Sequence, residues 1–306
     1  MEDRHALWMG ILCALGATAL WAGNFIIARG FHHSLPPVTL AFWRWFVATA
    51  VLIPLALPHL YRERKQIRTH LGYLSIAAFS GVTLFNTLVY VAAHTTTALN
   101  LSLIAMVSPL FIVILAWLFQ GEEMHGAKVA GTLIAFLGVL LLITGGSPGV
   151  LLKMQFNGGD LLMVVAALTF AFYSLLVKRK PVKLSMMSFL ASTFFIGLVL
   201  LAPVYLWERG VALAPLMPVS SMGVVLYAGI CAALFAFTLW NRAIMLIGPG
   251  RTAVCYYLLP LFSGVEAMLF LDEPIGWTHL VSAGLILSGV ALSSRSGART
   301  NKAPEG

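Results

Sequence analysis

One apolar stretch of the chain carries polar side chains at a regular spacing. Thr83, Asn86, Thr87, Tyr90 and His94 stand at positions i, i+3, i+4, i+7 and i+11, which places their polar side chains on one face of an α-helix. Four of the five carry a hydroxyl or an amide, so the chemistry that this face offers is hydrogen bonding to a small molecule. Hydrogen bonding between neighbouring helices is the alternative interpretation, and the sequence leaves both open.

Further aromatic and polar residues in apolar stretches extend this candidate site, and they recur about 150 residues apart. Trp21 matches Phe170 and Asn24 matches Tyr173, while Thr238 and Asn241 match Thr87 and Tyr90. The residues predicted to line a substrate-binding cavity are Trp21, Asn24, Thr83, Asn86, Thr87, Tyr90, Phe170, Tyr173, Thr238 and Asn241. A neutral, partly aromatic lining suits a molecule with an apolar body and a polar end, such as an amino acid, and it would equally suit a lipophilic drug.

Two ionisable residues stand well inside apolar stretches, where an isolated charge is costly. Arg44 lies in the segment FWRWF and Glu266 in the segment GVEAM. Counted from the expected outer ends of their helices at about 1.5 Å per residue, both lie roughly 10–12 Å deep. Equal depth predicts that Arg44 and Glu266 form an intramembrane charge pair, or lie close enough for their charges to interact, in the outer half of the membrane. The alternatives are substrate contact or proton coupling by Glu266.

Pro109 and Pro260 each stand near the middle of an apolar stretch. A proline inside a helix removes one backbone hydrogen bond and can kink the helix. The two positions are predicted hinges for a conformational change, and static bends are the alternative. Gly131 and Gly284, each with a small residue four positions further on, predict close contact between helices.

The composition of the chain indicates whether these residues lie in a soluble or a membrane protein. Of the 306 residues, 60% are apolar and 10% are charged, whereas soluble domains carry about 25% charged residues. The chain is therefore predicted to be an all-α integral membrane protein in contact with the lipid bilayer. Its net charge of +8 falls in short gaps between apolar runs, which indicates membrane topology and argues against a nucleic acid partner.

No pattern in the sequence predicts an enzyme, a cofactor or a metal site. The cysteines Cys13, Cys231 and Cys255 lie far apart in apolar segments and lack metal-ligand spacing. The motifs of metalloproteases, serine hydrolases and phosphate-binding loops are also missing from the sequence.

Runs of roughly 20 apolar residues predict ten membrane-spanning helices. Their expected ranges are 7–28, 37–58, 70–92, 97–119, 127–144, 159–177, 185–206, 220–241, 250–271 and 277–293. With the amino terminus in the cytoplasm, fourteen basic residues fall on the inner side and three on the outer side. This bias predicts that both termini are cytoplasmic.

The chain contains an internal repeat. The segment SPLFIVILAWLFQGE returns 151 residues later as LPLFSGVEAMLFLDE, with seven of fifteen positions identical. We therefore predict two five-helix repeats, 1–148 and 149–294, followed by a disordered cytoplasmic tail, 295–306. Because five is odd, the second repeat must enter the membrane in the opposite orientation. Inverted repeats around a central cavity are typical of proteins that expose one site alternately to either side, although duplication could also have produced only a larger bundle.

Four segments carry a resemblance to a known family: ALWAGNFIIARG, FWRWFVA, SPLFIVILAWLFQGEE and LPLFSGVEAMLFLDEP. With these motifs and its repeat, the chain resembles the ten-helix EamA-type branch of the drug/metabolite transporter superfamily. Within that branch it is most similar to the bacterial YddG-type exporters of aromatic amino acids. The resemblance implies a basket of helices around a central cavity in the bacterial inner membrane.

Together, the residues and the resemblance predict an exporter of aromatic and other neutral amino acids with broad specificity, working by alternating access. Multidrug or metabolite efflux of lipophilic compounds is the alternative within transport. A membrane enzyme or a structural bundle is the alternative outside it. The expected partners are the small-molecule substrate and the lipid bilayer. A monomer is the expected state, although no residue pattern determines it.

Overall fold

The computed structural model describes residues 2–31, 36–96, 98–212, 221–271 and 276–295, and every regular element in these ranges is helical. The π-helical segments Phe79–Leu84 and Tyr227–Phe235 and the 3-10 turn Tyr256–Leu258 join consecutive α-helices. The predicted tail lies outside the described residues from position 296 on. The α-helices are α1 (Glu2–Phe31), α2 (Pro37–Arg62), α3 (Arg64–Thr69), α4 (Leu71–Ala78), α5 (Phe85–Ala93), α6 (Ala98–Ala105), α7 (Ser108–Gln120), α8 (Gly126–Ile143), α9 (Gly149–Leu152), α10 (Gly158–Lys178), α11 (Met186–Ala212), α12 (Met222–Leu226), α13 (Ala236–Ile247), α14 (Pro249–Cys255), α15 (Leu259–Leu271) and α16 (Trp277–Arg295).

The helices are long and apolar enough to cross a membrane. In the described part of the chain, eight helical stretches of 18 residues or more meet this condition by length and composition. The predicted ninth helix is divided into α14, the 3-10 turn and α15, and α16 contributes a shorter apolar stretch, Trp277–Ser293. The prediction of an all-helical, multi-spanning protein is confirmed, whereas ten crossings stay a prediction.

The surface of the bundle is apolar, as contact with lipid requires. Large apolar side chains such as Leu118, Phe119 and Leu137 are more than half exposed. Many of the buried positions are occupied instead by alanine and by aromatic residues, among them Trp45 and Trp240. Small side chains let helices approach closely in a membrane, where van der Waals packing replaces the hydrophobic effect between helices.

Helices α2 and α11 pack antiparallel, and a glutamate at the carboxyl end of each one caps the start of the other. Glu208 of α11 accepts hydrogen bonds from the backbone N–H groups of Val38 (3.0 Å) and Thr39 (2.7 Å) at the start of α2. Glu63, which directly follows α2, accepts a bond from the backbone N–H of Ser185 (2.8 Å), next to the start of α11. Both carboxylates satisfy N–H groups that a helix leaves without internal partners, at the positive end of its dipole.

The cap formed by Glu63 should depend on pH. Burial raises the pKa of the Glu63 carboxyl, but the N–H and hydroxyl groups of Ser185 donate hydrogen bonds that hold this pKa below its ordinary value of 4.5. A carboxyl with a lowered folded pKa stabilises the fold in its ionised form. Its contribution is therefore present above about pH 4.5 and is lost as the pH falls through the folded pKa.

We expect Glu63→Gln to have a lower melting temperature than the wild type at pH 7. At pH 4 the difference between the two melting temperatures should be smaller. Thermal unfolding in detergent at both pH values measures this difference. Glu123→Gln is the matched control, because Glu123 is an exposed neighbour of His125 (2.5 Å) at the surface. An equal loss of stability in Glu63→Gln at both pH values would contradict the prediction.

Helices α8 and α16 approach each other at glycine residues. A Cβ atom at Gly131 would lie 2.5 Å from the carbonyl oxygen of Gly289 and from the backbone nitrogen of Ser293. Close packing is therefore confirmed for Gly131. The same prediction is wrong for Gly284, which is exposed and has no neighbouring atom within 4 Å of such a Cβ. Gly289, one and a half turns further along α16, makes the contact instead.

Both helices with a central proline are interrupted immediately before it. The chain leaves the regular helix at Met106 and Val107, and α7 then begins at Ser108 with Pro109 in its first turn. In the other stretch the 3-10 turn precedes α15, which begins at Leu259 with Pro260. Proline is tolerated in a first turn because its missing N–H would have no helical partner there. Whether these breaks act as hinges stays a prediction.

Candidate functional site

A cavity lies between helices that belong to different parts of the chain. Its volume is about 80 Å³, enough for several water molecules. It lies towards the end of the bundle where α1 and α5 end and where α2, α6 and α10 begin. The lining residues are Trp21, Asn24, Arg44, Phe85, Asn86, Val89, Tyr90, Ala93, Leu101, Ser108, Met163, Phe170 and Tyr256.

Half of the residues predicted from the sequence line this cavity. They are Trp21, Asn24, Asn86, Tyr90 and Phe170. Asn86 and Tyr90 are both buried and belong to one face of α5. They therefore offer amide and hydroxyl groups to whatever occupies the cavity. Whether they bind a substrate stays a prediction.

The other five predicted residues hydrogen-bond within the helical bundle. Asn241 donates to the hydroxyl oxygen of Tyr173 (2.7 Å), which joins α13 to α10. Thr83 donates to the carbonyl oxygen of Gly197 (3.0 Å) in α11. Thr87 and Thr238 each donate to the carbonyl four residues earlier in their own stretch. For these residues the alternative interpretation, hydrogen bonding inside the bundle, describes their contacts.

Sequence reasoning missed several lining residues, and part of the signal was available. Val89 and Ala93 stand at i+3 and i+7 from Asn86, so they continue the same helical face. Ser108 and Tyr256 lie beside the two helix breaks, where a straight helix would not have pointed them inward. Arg44 was also missed as a lining residue, because its charge and depth favoured a charge pair. The remaining missed residues are Phe85, Leu101 and Met163, whose apolar side chains carry no signal that separates a cavity wall from a packed core.

Aromatic rings form one wall of the cavity and continue into the core. Trp21 contacts Phe170 with ring centroids 5.6 Å apart and Tyr256 with centroids 5.8 Å apart, both edge to face. Phe170 also stacks on Phe85 at 4.7 Å. Behind them, Trp240 is fully buried and lies 5.2 Å from Trp21. Aromatic pairs in this geometry contribute about 0.5–1.5 kcal/mol each beyond their burial, so the wall is a well-defined apolar surface.

Arg44 supplies the one charged side chain among the lining residues of the described chain. Its guanidinium donates to the Tyr90 hydroxyl oxygen (3.0 Å) and to the Ala232 carbonyl oxygen (2.9 Å). The indole N–H of Trp21 donates to the same carbonyl (2.9 Å). Ala232 belongs to a π-helical segment, and such segments are frequent at functional sites.

The predicted direct charge pair between Arg44 and Glu266 is absent from the two described side chains. Arg44 has the neutral partners given above, and Glu266 Oε2 lies beside Gly23, where an added Cβ would be 3.4 Å away. That carboxylate oxygen is buried without a hydrogen-bond partner. Equal depth does not by itself produce an ion pair within 4 Å, because depth leaves the rotation of each helix undefined. Whether the two charges lie close enough to influence each other stays a prediction.

The opposite end of the bundle is closed by hydrogen bonds between distant helices. Gln120 at the end of α7 donates to the carbonyl oxygen of Leu175 in α10 (2.8 Å), and Tyr73 of α4 donates to the carbonyl oxygen of Leu176. Glu122 accepts from the Lys128 ammonium (2.7 Å) and from the backbone N–H of Gly250 (3.2 Å) at the start of α14.

Within the described residues, no cluster of three histidine, cysteine or acidic side chains could hold a metal ion. The cavity offers one guanidinium, amide and hydroxyl groups, and aromatic faces. This arrangement can bind and orient a small molecule, and it lacks a nucleophile paired with a base. Apolar helices long enough to span a bilayer around such a cavity define a multi-pass membrane protein.

The particular family follows from comparison with known proteins. The model of the EamA-like transporter family matches residues 8–144 and, a second time, residues 157–295. The chain therefore belongs to the EamA-like transporter family, whose members are transporters and not enzymes.

Similar proteins match this chain over nearly their whole length. An uncharacterized transporter of Archaeoglobus fulgidus is 28% identical over 90% of this chain and 93% of its own length. A probable terminal-alkyne amino-acid exporter of Streptantibioticus cattleyicolor is 25% identical over 96% of this chain and 95% of its own length. A probable amino-acid metabolite efflux pump of Escherichia coli is 24% identical over 93% of this chain and 94% of its own length. One crystal structure, 20% identical, superposes with a TM-score of 0.75 over 95% of this chain and 99% of that chain, which shows that the fold is shared.

Proposed function

We propose that the protein exports amino acids, aromatic and other neutral ones, across the bacterial inner membrane by alternating access. The observation that carries this proposal is the cavity, which joins an aromatic wall to amide, hydroxyl and guanidinium groups. An aromatic wall accepts an apolar side chain, and the polar groups can bind the charged end of an amino acid. The names of the Streptantibioticus and Escherichia relatives support an amino-acid substrate. The narrower YddG-type preference for aromatic amino acids is part of the proposal.

The proposed architecture is ten crossings in two inverted repeats, 1–148 and 149–294, with both termini in the cytoplasm. The reciprocal caps between α2 and α11 support it, because these helices are the second members of their repeats and run antiparallel. The close contact of α8 and α16, the last members, supports it too: Gly131 lies opposite Gly289, and Gly138 lies opposite Leu285. Paired equivalent helices of opposite direction are expected around a two-fold axis in the membrane plane.

This topology assigns a direction to the structure. The cavity then lies in the outer half of the membrane, and the ties from Gln120, Tyr73 and Glu122 close the cytoplasmic end. The proposed cycle breaks these ties to admit substrate from the cytoplasm and re-forms them when substrate leaves to the outside. Pro109 and Pro260, at the helix breaks, are the proposed hinges.

Counterflow tests the proposed function. Purified protein in liposomes preloaded with unlabelled phenylalanine should accumulate labelled phenylalanine transiently, and liposomes without protein should not. Efflux of lipophilic compounds is the second candidate, favoured by the apolar share of the lining, such as Val89, Leu101 and Met163. Flux of a lipophilic dye without flux of any amino acid would favour this second function and reject the first.

Asn86 should contribute to substrate affinity. It is buried, lines the cavity, and its amide nitrogen is held by only a long bond to the Gly81 carbonyl oxygen (3.4 Å). We expect Asn86→Leu to raise the KM for counterflow by about tenfold, since a lost hydrogen bond to a charged group is worth about 1.5–3 kcal/mol. Leu137→Ala, at an exposed position on α8, is the control and should leave KM unchanged. Equal KM values for wild type and Asn86→Leu would show that Asn86 does not contact substrate.

A further inference from the structure

The charge on Arg44 lacks an acidic partner among the described residues. The side chain is 2% exposed, and no carboxylate of the described chain lies within 4 Å of it, since the ion pairs recorded there join other residues. Both of its hydrogen-bond partners, Tyr90 and the Ala232 carbonyl, are neutral. Neutral partners orient a guanidinium, but they do not balance its charge in a low-dielectric interior.

The guanidinium also has unused donors. An arginine carries five N–H groups, and the bonds to Tyr90 and Ala232 account for two of them. Its Nε atom is buried without a hydrogen-bond partner. A buried charged donor without a partner is costly, so the arrangement is stabilised by any anion that enters the cavity and accepts from the guanidinium.

We propose that Arg44 is the residue that determines the substrate class, by binding the carboxylate of the transported molecule. This inference rests on the proposed function and deepens it. Planar guanidinium and carboxylate groups match each other in two parallel hydrogen bonds. Trp21, Phe85 and Phe170, on the aromatic wall of the same cavity, receive the apolar body of the molecule.

The same lining requires a carboxylate but not an amine. The described residues around the cavity include no acidic side chain, and Glu266 lies outside the lining. An ammonium group finds only neutral acceptors there, such as the side-chain oxygens of Asn24, Asn86 and Ser108. The substrate class is therefore carboxylic acids with an apolar or aromatic body, of which neutral amino acids are one kind. Cationic amines and amides of the same shape are excluded.

Three probes with the same phenyl ring separate the contribution of the carboxylate from that of the amine. The first, 3-phenylpropionate, has only the carboxylate; phenethylamine has only the amine; and phenylalaninamide has the amine and a neutral amide in place of the carboxylate. Binding to the purified protein is measured by thermal shift and by quenching of tryptophan fluorescence, with phenylalanine as the reference. We expect 3-phenylpropionate and phenylalanine to bind at least about tenfold more tightly than phenethylamine and phenylalaninamide, as the loss of a buried ion pair implies. Equal binding of the four probes, or binding of the amines alone, would overturn the proposal.

Two variants assign the effect to Arg44. Arg44→Gln should remove the preference for carboxylates, and Arg44→Lys should keep a reduced preference, because it keeps the charge but loses the planar fork. A purely structural role would weaken all probes alike and leave their order unchanged, which would also overturn the proposal. If Arg44→Gln does not fold, Arg44→Lys makes the assignment, and an unchanged preference for carboxylates in Arg44→Lys would overturn the proposal.

The binding and counterflow experiments can reject the inference about Arg44 and the proposed export independently of each other. Binding selective for carboxylates without counterflow of any amino acid would reject the proposed export and keep the inference about Arg44. Counterflow of phenylalanine together with equally tight binding of phenylalaninamide would keep export and reject the inference.

Discussion

We expect Asp160→Ala to destabilise the protein strongly and to reduce transport. Asp160 is 3% exposed at the start of α10, and its carboxylate accepts hydrogen bonds from three groups. These are the Thr96 hydroxyl, the Asn100 amide (3.0 Å) and the backbone N–H of Asn157 (2.8 Å). Removing the carboxylate leaves these three neutral donors without their acceptor, and each buried group left unsatisfied costs about 1–3 kcal/mol.

The position of Asp160 connects stability to the cavity. Thr96 follows α5, Asn100 belongs to α6, and Asp160 begins α10. Each of these helices also lines the cavity within one to three residues of the network, with Leu101, Ala93 and Met163. The carboxylate therefore holds three walls of the cavity in register, and its loss should loosen all three.

Thermal unfolding in detergent and counterflow in liposomes measure the two effects. The matched comparison is Asn157→Ala, which removes the capping side chain that accepts from the N–H groups of Gly159 and Asp160 and should cost only about 1 kcal/mol. If the melting temperature of Asp160→Ala were no lower than that of Asn157→Ala, the carboxylate would not be the centre of this network.

The second large effect is expected at the contact between α8 and α16. A Cβ at Gly289 would lie 2.5 Å from the Gly131 carbonyl oxygen and 2.5 Å from the Ala135 backbone nitrogen. Neither backbone atom can move away alone, so Gly289→Ala must push the two helices apart. Overpacking of this kind typically costs about 1–3 kcal/mol.

Gly284→Ala is the control, because it adds the same methyl group to the same helix at an exposed site without a neighbouring atom within 4 Å. We expect it to leave the melting temperature unchanged or to raise it slightly, since alanine favours helix more than glycine does. Gly131→Ala should be as harmful as Gly289→Ala, and the double variant should cost less than the sum of the two, because helices already separated accept a second methyl group. Equal melting temperatures for Gly289→Ala and Gly284→Ala would contradict the close contact.

The cavity residues show how far periodicity alone could reach. Asn86 and Tyr90 lie on α5 and were found, because the 3.6-residue repeat holds inside that helix. Thr83 lies in the π-helical segment that precedes α5, and its side chain reaches Gly197 instead. A π-helical turn contains an extra residue, so a helical face extrapolated through it rotates away from its expected direction.

Thr238 and Asn241 follow the longer π-helical segment Tyr227–Phe235. They were assigned to the cavity from their correspondence with Thr87 and Tyr90. The π-helical segments of the two repeats differ in length, six residues against nine, so matched sequence positions need not present matched faces.

The sequence by itself determined that the protein is helical, that it lies in lipid and that it contains an internal repeat. Apolar runs too long and too poor in charge for a soluble domain can be satisfied only in lipid, where backbone groups must bond within helices. The tertiary structure alone decided which polar side chains share one cavity. Counting residues places Arg44 and Glu266 at equal depth, yet their side chains have different neighbours. Depth follows from counting residues, whereas direction depends on how each helix is rotated against partners more than a hundred residues away.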